Sequence, residues 1–178
     1  MSNVLIFCEH KDGQLKTASL PAIAWGREVA KHTGGEVYGV IIGGGVGDAG
    51  ADAAKYLNKV VVVDNDGLGD YLAETYAPVL AKVAEDLGVT HIGATATNLA
   101  KDLFPRALGL LDAAMASDVI AVKGEKTFVR PTNAGNALGE VEVLTDTVMV
   151  TVRQTEFDPA EALDAAGAPG GDHDVGQD

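Results

Sequence analysis

The sequence TFVRPTNAGNALGEVEV, residues 127–143, contains two short runs of strand-forming residues on either side of a turn. β-Branched residues alternate with their neighbours in the first run, at Thr127 and Val129, and again in the second, at Val141 and Val143. Proline, asparagine and glycine, which favour turns, fill the middle of the stretch. The sequence therefore predicts two strands joined by a turn near the end of the fold.

Upstream of this stretch, short apolar runs alternate with helical patterns. The predicted strands are residues 4–8, 36–42, 59–63 and 89–94, and the predicted helices are residues 21–33, 47–57, 69–87 and 98–111. Pro78 and Pro105 lie inside two of these helices, where we expect a kink or a restart. Nearly continuous apolar strands that alternate with helices predict a parallel sheet covered on both faces.

After Ser117 the pattern changes to four strand-like segments, residues 118–122, 127–130, 139–143 and 146–152. The predicted fold is therefore α/β: a doubly wound, mostly parallel sheet flanked by helices, with a strand-rich antiparallel extension at its C-terminal end. We expect that extension to be one more parallel strand and an antiparallel edge or hairpin.

The length and charge of the chain predict one domain followed by an acidic segment. A domain at residues 1–155 has enough length to bury a sizeable core. Residues 156–178 contain seven acidic residues, no lysine or arginine and few apolar residues, which predicts a flexible acidic linker or tail. The formal net charge of −13 makes nucleic acid and anionic membranes poor partners.

The amino terminus and the single cysteine predict the compartment of the protein. The apolar run at residues 4–8 is short and follows no basic segment, which predicts a buried strand and neither a signal peptide nor a membrane span. Cys8 is the only cysteine and fits a reducing compartment. These features predict a cytoplasmic protein. Four scattered histidines and this cysteine have no metal-site spacing, so we predict no metal.

Five phrases of the sequence resemble the amino-terminal domain of the electron transfer flavoprotein alpha subunit. In chain order they are VLIFCEH at residues 4–10, Thr90-His91, NLAKDLFPR at residues 98–106, SDVI at residues 117–120 and AGNA at residues 134–137. Thr132-Asn133 departs from the apolar-aromatic pair expected before AGNA. The resemblance implies a nucleotide-alpha-hydrolase-like fold.

In that family a second domain holds FAD, and its Gly-Arg-Gly, Gly-Ala-Ser-Arg and Gln-Thr-Gly phrases do not occur in this sequence. The resemblance thus implies an isolated first domain, with FAD bound in the intact protein by the missing domain and no cofactor in this chain. It implies an electron-carrier subunit without catalytic residues of its own. This domain would be a structural platform for the beta subunit and the FAD domain.

The resemblance also implies the route of the electrons. The intact FAD-containing heterodimer would receive them from flavin dehydrogenases, such as the acyl-CoA dehydrogenases of fatty acid β-oxidation, and pass them to a quinone-linked oxidoreductase.

A stand-alone adenine-nucleotide-binding module is the alternative, using the carboxyl edge of the sheet. The loop IGGGVGDAG at residues 42–50 follows a predicted strand and contains Gly45 and Gly47 of a GxGxxG pattern, and Asp64 ends the next strand, where an acid could bind ribose hydroxyls. Glu9 and Thr95 follow or end neighbouring strands. The competing interpretation is a flexible loop, because glycine is abundant here and the loop follows the second strand.

Four residues in the family-like phrases are candidate interface residues. Arg106 and Arg130 carry planar guanidinium groups suited to carboxylates across an interface, and Asn133 and Asn136 carry amides that both donate and accept. The competing interpretations are solvated arginines and asparagines that bond only to the local backbone.

Overall fold

The computed structural model of the protein describes residues 1–163 of the 178. After three initial strands, helices and strands alternate as far as residue 119, and further strands follow. In chain order they are β1 (Ser2–Phe7), β2 (His10–Lys11), β3 (Gln14–Leu15), α1 (Leu20–Thr33), β4 (Gly34–Gly43), α2 (Gly47–Ala53), β5 (Lys59–Asp64), α3 (Ala73–Leu87), β6 (His91–Thr95), α4 (Asn98–Leu110), β7 (Ala114–Val119), β8 (Ala121–Val122), β9 (Thr127–Thr132), β10 (Ala137–Glu142) and β11 (Val148–Val152).

Six parallel strands form the central sheet in the order β5-β4-β1-β6-β11-β7. The strand order reverses beside β1, where the chain crosses from β4 and β5 on one side to β6 on the other. Buried residues, most of them apolar, fill both faces of β1, β4, β6 and β11, as a parallel sheet covered on both sides requires. The doubly wound α/β fold predicted from the sequence is confirmed.

The two faces of the sheet pack against different layers. On one face lie α1, α2 and the Phe128 side chain of β9, with Trp25 of α1 fully buried among them. On the other face lie α3 and α4, whose Leu80, Leu103 and Phe104 are fully buried. Both helices continue through their prolines, Pro78 and Pro105, without restarting.

Strands β8, β9 and β10 form a separate antiparallel sheet in the order β10-β9-β8. The sequence led us to expect these strands at an edge of the central sheet. Instead the chain leaves the central sheet after β7, builds this small sheet against α1, and returns to place β11 between β6 and β7. Phe128 joins the two parts: its ring lies 6.1 Å from that of Trp25.

The sequence-based prediction misplaced the start of one strand and omitted one hairpin. Strand β7 begins at Ala114, four residues before the start predicted from the sequence. The prediction omitted these residues because alanine, methionine and serine have little strand propensity. The β2–β3 hairpin was missed although Asp12-Gly13 at its turn is a strong hairpin signal, and both residues have positive φ (51° and 75°) as a type I′ turn requires.

The C-terminal part of the described chain packs against the domain. Phe157 and Ala160 are buried in the core beside α1, and the amide of Leu163 donates to the carbonyl of Lys55 at 2.8 Å. The prediction of a flexible segment is therefore wrong for residues 156–163. A few apolar residues among the acidic ones are enough to hold this segment against the domain. Residues 164–178 of the predicted tail lie outside the described residues.

Candidate functional site

The candidate nucleotide residues meet at the carboxyl edge of the central sheet. Because the six strands are parallel, β1, β4, β5 and β6 all end at this edge. Glu9, the glycine loop with Gly45 and Gly47, Asp64 and Thr95 follow or end those strands, so the structure brings to one edge the residues that the sequence marked.

Glu9 already has partners for its carboxylate. Its side chain is only 6% exposed, accepts from the Lys16 ammonium at 3.1 Å and accepts a hydrogen bond from the Thr97 hydroxyl. Thr97 is also the N-cap of α4, where its Oγ1 accepts from the amide of Ala100 at 3.1 Å. The carboxylate is therefore bonded to the residue that caps α4, at the helix end where an anion can bind.

The amides of the glycine loop are bound in the same way by Asp64. The Gly45 amide donates to Oδ1 at 2.7 Å and the Val46 amide donates to Oδ2 at 3.0 Å. In a dinucleotide fold such amides face a pyrophosphate and the acid faces a ribose. Here the acid neutralises the loop itself, so the GxGxxG pattern around Gly47 is a loop held by its own carboxylate.

Thr95 lies inside the sheet. Its side chain is 4% exposed, and its hydroxyl has no hydrogen-bond partner within residues 1–163. Among the marked residues, the Glu9 and Asp64 carboxylates are therefore bonded internally, and the unpartnered Thr95 hydroxyl is buried in the sheet.

Arg130 forms an internal clamp. Its Nε donates to the Ser117 carbonyl at 2.8 Å and its Nη2 donates to the Ser117 hydroxyl at 2.9 Å, which ties β9 to β7. The next residue, Asp118, has φ +58°, which is rare for a residue with a side chain, and its carboxylate is bound by both Nε and Nη2 of Arg153. Sequence reasoning missed Arg153, and only its place directly after a buried strand could have drawn attention to it.

Asn133 and Asn136 lie at the exposed turn between β9 and β10. Asn133 has φ +49°, and its carbonyl accepts from the Asn136 amide at 3.1 Å. Neither side-chain amide has a hydrogen-bond partner within residues 1–163. Beyond the turn Leu138 is 66% exposed and pairs in register with Pro131, so these two apolar side chains share the outward face of the sheet.

Arg106 lies elsewhere. It extends from α4 and pairs with Glu74 of α3 at 3.3 Å, with both side chains at least half exposed. The pair borders a cavity of about 460 Å³ that also contains Tyr71 and the 56%-exposed Leu72. The candidate interface residues therefore fall on opposite faces of the sheet: Arg106 on the face with α3 and α4, and the other three on the small sheet against α1.

Two kinds of feature are absent from residues 1–163. No helix in that range is both long and apolar enough to cross a membrane. No group of three or more histidine, cysteine, aspartate or glutamate side chains in the same range is arranged to hold a metal ion.

A doubly wound parallel sheet flanked by helices and a separate three-stranded antiparallel sheet together define an α/β domain. The family model for the electron transfer flavoprotein domain matches residues 4–175. The chain belongs to the electron transfer flavoprotein family.

Individual relatives are alpha subunits of such flavoproteins. A probable mitochondrial alpha subunit of Cryptococcus neoformans var. grubii is 36% identical over 93% of this chain and 49% of its own length. The mitochondrial alpha subunit of Oryza sativa subsp. indica is 34% identical, with 92% and 47% covered. The alpha subunit of Pseudomonas aeruginosa is 34% identical, with 89% and 50% covered. The chain thus spans about half the length of the curated relatives it matches.

The comparisons correct the predicted cytoplasmic location. The Cryptococcus and rice relatives are both named as mitochondrial, and the Pseudomonas relative carries no compartment in its name. A reducing environment for Cys8 does not separate these compartments, which is why the sequence argument failed.

The family name implies a flavin, and the marked residues do not fit one. A flavin dinucleotide needs free amide donors for its pyrophosphate, and the loop amides of Gly45 and Val46 are bound by Asp64. Glu9 would also present a buried negative charge to a phosphate.

Proposed function

We propose that this chain is the amino-terminal domain of an electron transfer flavoprotein alpha subunit and acts as a platform for other parts of the assembly. The observation that carries the proposal is the coverage of the alignments. They include nearly all of this chain but only about half the length of each alpha subunit. FAD belongs to the part of the alpha subunit beyond this domain. The domain itself is an electron-carrier component without catalytic residues.

In the intact heterodimer, we propose that FAD accepts electrons from flavin dehydrogenases, such as acyl-CoA dehydrogenases, and passes them to a quinone-linked oxidoreductase. When bound, the flavin supplies the redox chemistry, and protein groups orient it and tune its potential. The residues of this chain contribute a rigid surface on which the flavin-holding part and the beta subunit are positioned.

The beta subunit covers the outward face of the β8–β9–β10 sheet in this proposal. Two features support that choice: Leu138 is exposed beside Pro131, and the side-chain amides of Asn133 and Asn136 lack partners within residues 1–163. Strand β10 is also an edge strand, and an uncovered edge of this kind invites pairing. Arg130 acts from behind this face by fixing β9 to β7.

The interface is tested by Leu138→Lys, with Leu72→Lys as the matched control. Both leucines are more than half exposed and lie on opposite faces of the central sheet. We expect Leu138→Lys to weaken binding of the cognate beta subunit by about tenfold or more, as a charge placed in an apolar contact does. Leu72→Lys should bind as the unchanged chain does, and both variants should keep the same melting temperature.

The opposite pattern, binding lost in Leu72→Lys and kept in Leu138→Lys, would move the interface to the α3 and α4 face. No measurable beta-subunit binding by the unchanged chain would contradict the platform function itself.

A separate test concerns the cofactor. We expect the purified chain to be colourless and the longer alpha subunit with its beta subunit to show flavin absorption. Stoichiometric flavin bands in the chain alone would contradict the assignment of FAD to the other part of the subunit.

A further inference from the structure

A groove between α1, β8 and the C-terminal segment combines an apolar floor with an acidic rim. Its volume is about 310 Å³, at the lower end of the range of roughly 300–1,000 Å³ for small-ligand pockets. The floor is formed by half-buried or buried residues, and the rim by exposed carboxylates. The lining residues are Ala24, Glu28, Ile120, Ala121, Val122, Glu156, Phe157 and Asp158.

The rim carries three negative charges and no positive one. Glu28 extends from α1, and Glu156 and Asp158 flank the buried Phe157. Within residues 1–163 none of these three carboxylates forms an ion pair. Arg27, next to Glu28 in sequence, donates instead to the carbonyls of Tyr56 and Glu161. Arg153, the nearest cation in sequence to Glu156, is paired with Asp118.

The side wall of the groove is a strand edge. β8 is the outermost strand of the small sheet and pairs only with β9 in that sheet, through Ala121 and Val122. A segment in extended conformation can lie along such an edge and pair with its backbone, placing alternate side chains on the floor and at the rim. An acidic rim around an apolar floor therefore suits an extended segment in which lysine or arginine alternates with aliphatic residues.

We propose that this groove, named here the acidic groove, receives a basic, extended segment of the beta subunit. The inference rests on the proposed pairing with the beta subunit and adds the chemistry of one contact. Continuity supports the choice of partner, because the groove borders β8 of the same small sheet whose outward face we assign to the beta subunit. By composition, residues 164–178 contain four acidic residues and no lysine or arginine, so their charge is not complementary to that of the rim.

The test removes the charge of the rim without changing its shape, in the triple variant Glu28→Gln, Glu156→Gln and Asp158→Asn. The control variant, Asp66→Asn, Asp70→Asn and Glu85→Gln, removes three exposed carboxylates from other parts of the surface. Both variants therefore have the same net charge. The affinity of each for the cognate beta subunit is measured at several salt concentrations.

We expect the rim variant to bind about tenfold more weakly at low salt, with a slower association rate and a shallower dependence on salt. The control should match the unchanged chain in slope and in affinity. Carbodiimide coupling, which joins a carboxylate to a neighbouring lysine, should link the rim to a beta-subunit lysine.

Equal binding by the two variants would overturn the assignment of the groove. If Leu138→Lys still abolishes binding in that case, the proposed platform function stands and only the groove contact fails. Self-association of the chain that disappears in the rim variant would instead assign the groove to a second copy and overturn the proposal. A drop in the melting temperature of the rim variant alone would show that the carboxylates stabilise the domain, which also counts against it.

Discussion

At the scale of single residues, several side chains that could bind a ligand instead form hydrogen bonds within the domain. Glu9 and Asp64 are the clearest cases. Each sits where a parallel α/β sheet binds anions, and each carboxylate is already bonded by groups of the chain itself. An identical pattern of glycines and acids can therefore either bind a nucleotide or exclude it, depending on where the acid points.

Cys8 is expected to be inert as long as the domain is folded. The side chain is fully buried, and burial raises the pKa of its thiol to about 12, so almost no thiolate is present at pH 8. A chromogenic disulfide reagent should show no reaction with the native chain and one equivalent of thiol in denaturant. A full equivalent from the native chain at the rate of a free thiol would contradict the buried position.

His91 should make stability depend on pH. The ring is fully buried; Nε2 lies 2.9 Å from the Glu125 carbonyl, and Nδ1 lies 2.8 Å from the Thr90 hydroxyl. A carbonyl can only accept, so Nε2 donates and Nδ1 accepts from Thr90. Burial lowers the pKa of this imidazole below its ordinary value of 6.5.

The sign follows from proton uptake. Below about pH 6.5 the unfolded chain binds a proton that the native chain does not, so the free energy of unfolding decreases as the pH falls towards the native pKa. Urea unfolding at pH 7.5 and 5.5 should show this loss in the unchanged chain and in the exposed control His32→Gln. His91→Gln should lack that part of the loss. An equal loss in both variants would exclude His91 as its source.

At the scale of elements, close approach between α1 and β6 fixes the position of the small sheet. A Cβ built on Gly93 would lie 2.2 Å from Cζ3 of Trp25, the residue against which Phe128 packs. Gly93→Ala should therefore destabilise the domain by about 1–3 kcal/mol through overpacking. Gly109→Ala in α4, where a Cβ meets nothing within 4 Å, should be neutral or stabilising by up to about 1 kcal/mol. Chemical unfolding measures both, and a Gly93→Ala variant as stable as the unchanged chain would contradict the close packing.

The segment after β11 should contribute to stability through one aromatic side chain. Phe157 is 6% exposed in the core beside α1, so Phe157→Ala should cost about 3 kcal/mol. The neighbouring exposed residue provides the control, Asp158→Ala, which should change the free energy of unfolding by less than about 0.5 kcal/mol. Similar small effects of both substitutions would restore the interpretation of this segment as a linker.

The sequence predicted most elements because the apolar runs of β1, β4, β5 and β6 and the periodic faces of the helices reflect burial directly. It could not predict β7 in full, since AMAS at residues 114–117 is weak strand sequence that forms a strand only because β11 pairs with it. Nor could it predict that the antiparallel strands form their own sheet, which depends on the long-range contact of Phe128 with Trp25. It placed Glu9 and Asp64 at the carboxyl edge of the sheet, but the direction of their carboxylates depends on Lys16, Thr97 and the loop backbone, which the sequence does not show.

At the scale of the whole molecule, the last strand within residues 1–163 lies inside the central sheet. β11 separates β6 from β7 and pairs with both along its length. A chain ending at residue 147 should therefore lose cooperative thermal unfolding, because two strands are left with no common neighbour. A chain ending at residue 155 keeps β11 and lacks Phe157, so it should unfold cooperatively at a lower temperature than the 178-residue chain. Circular dichroism in the near ultraviolet measures both, and a cooperative transition in the shorter chain would contradict a central role for β11.

This placement of β11 also determines when the central sheet can be completed during translation. While the ribosome is still adding residues before 148, β1, β4, β5 and β6 can already pair. Strand β7 cannot yet join the central sheet, because its partner β11 has not been made. The gap closes when the residues up to Val152 have left the exit tunnel. Until then the nascent chain presents the open side of β6 to its surroundings, so chaperone contact is most useful in the interval between translation of β7 and release of β11.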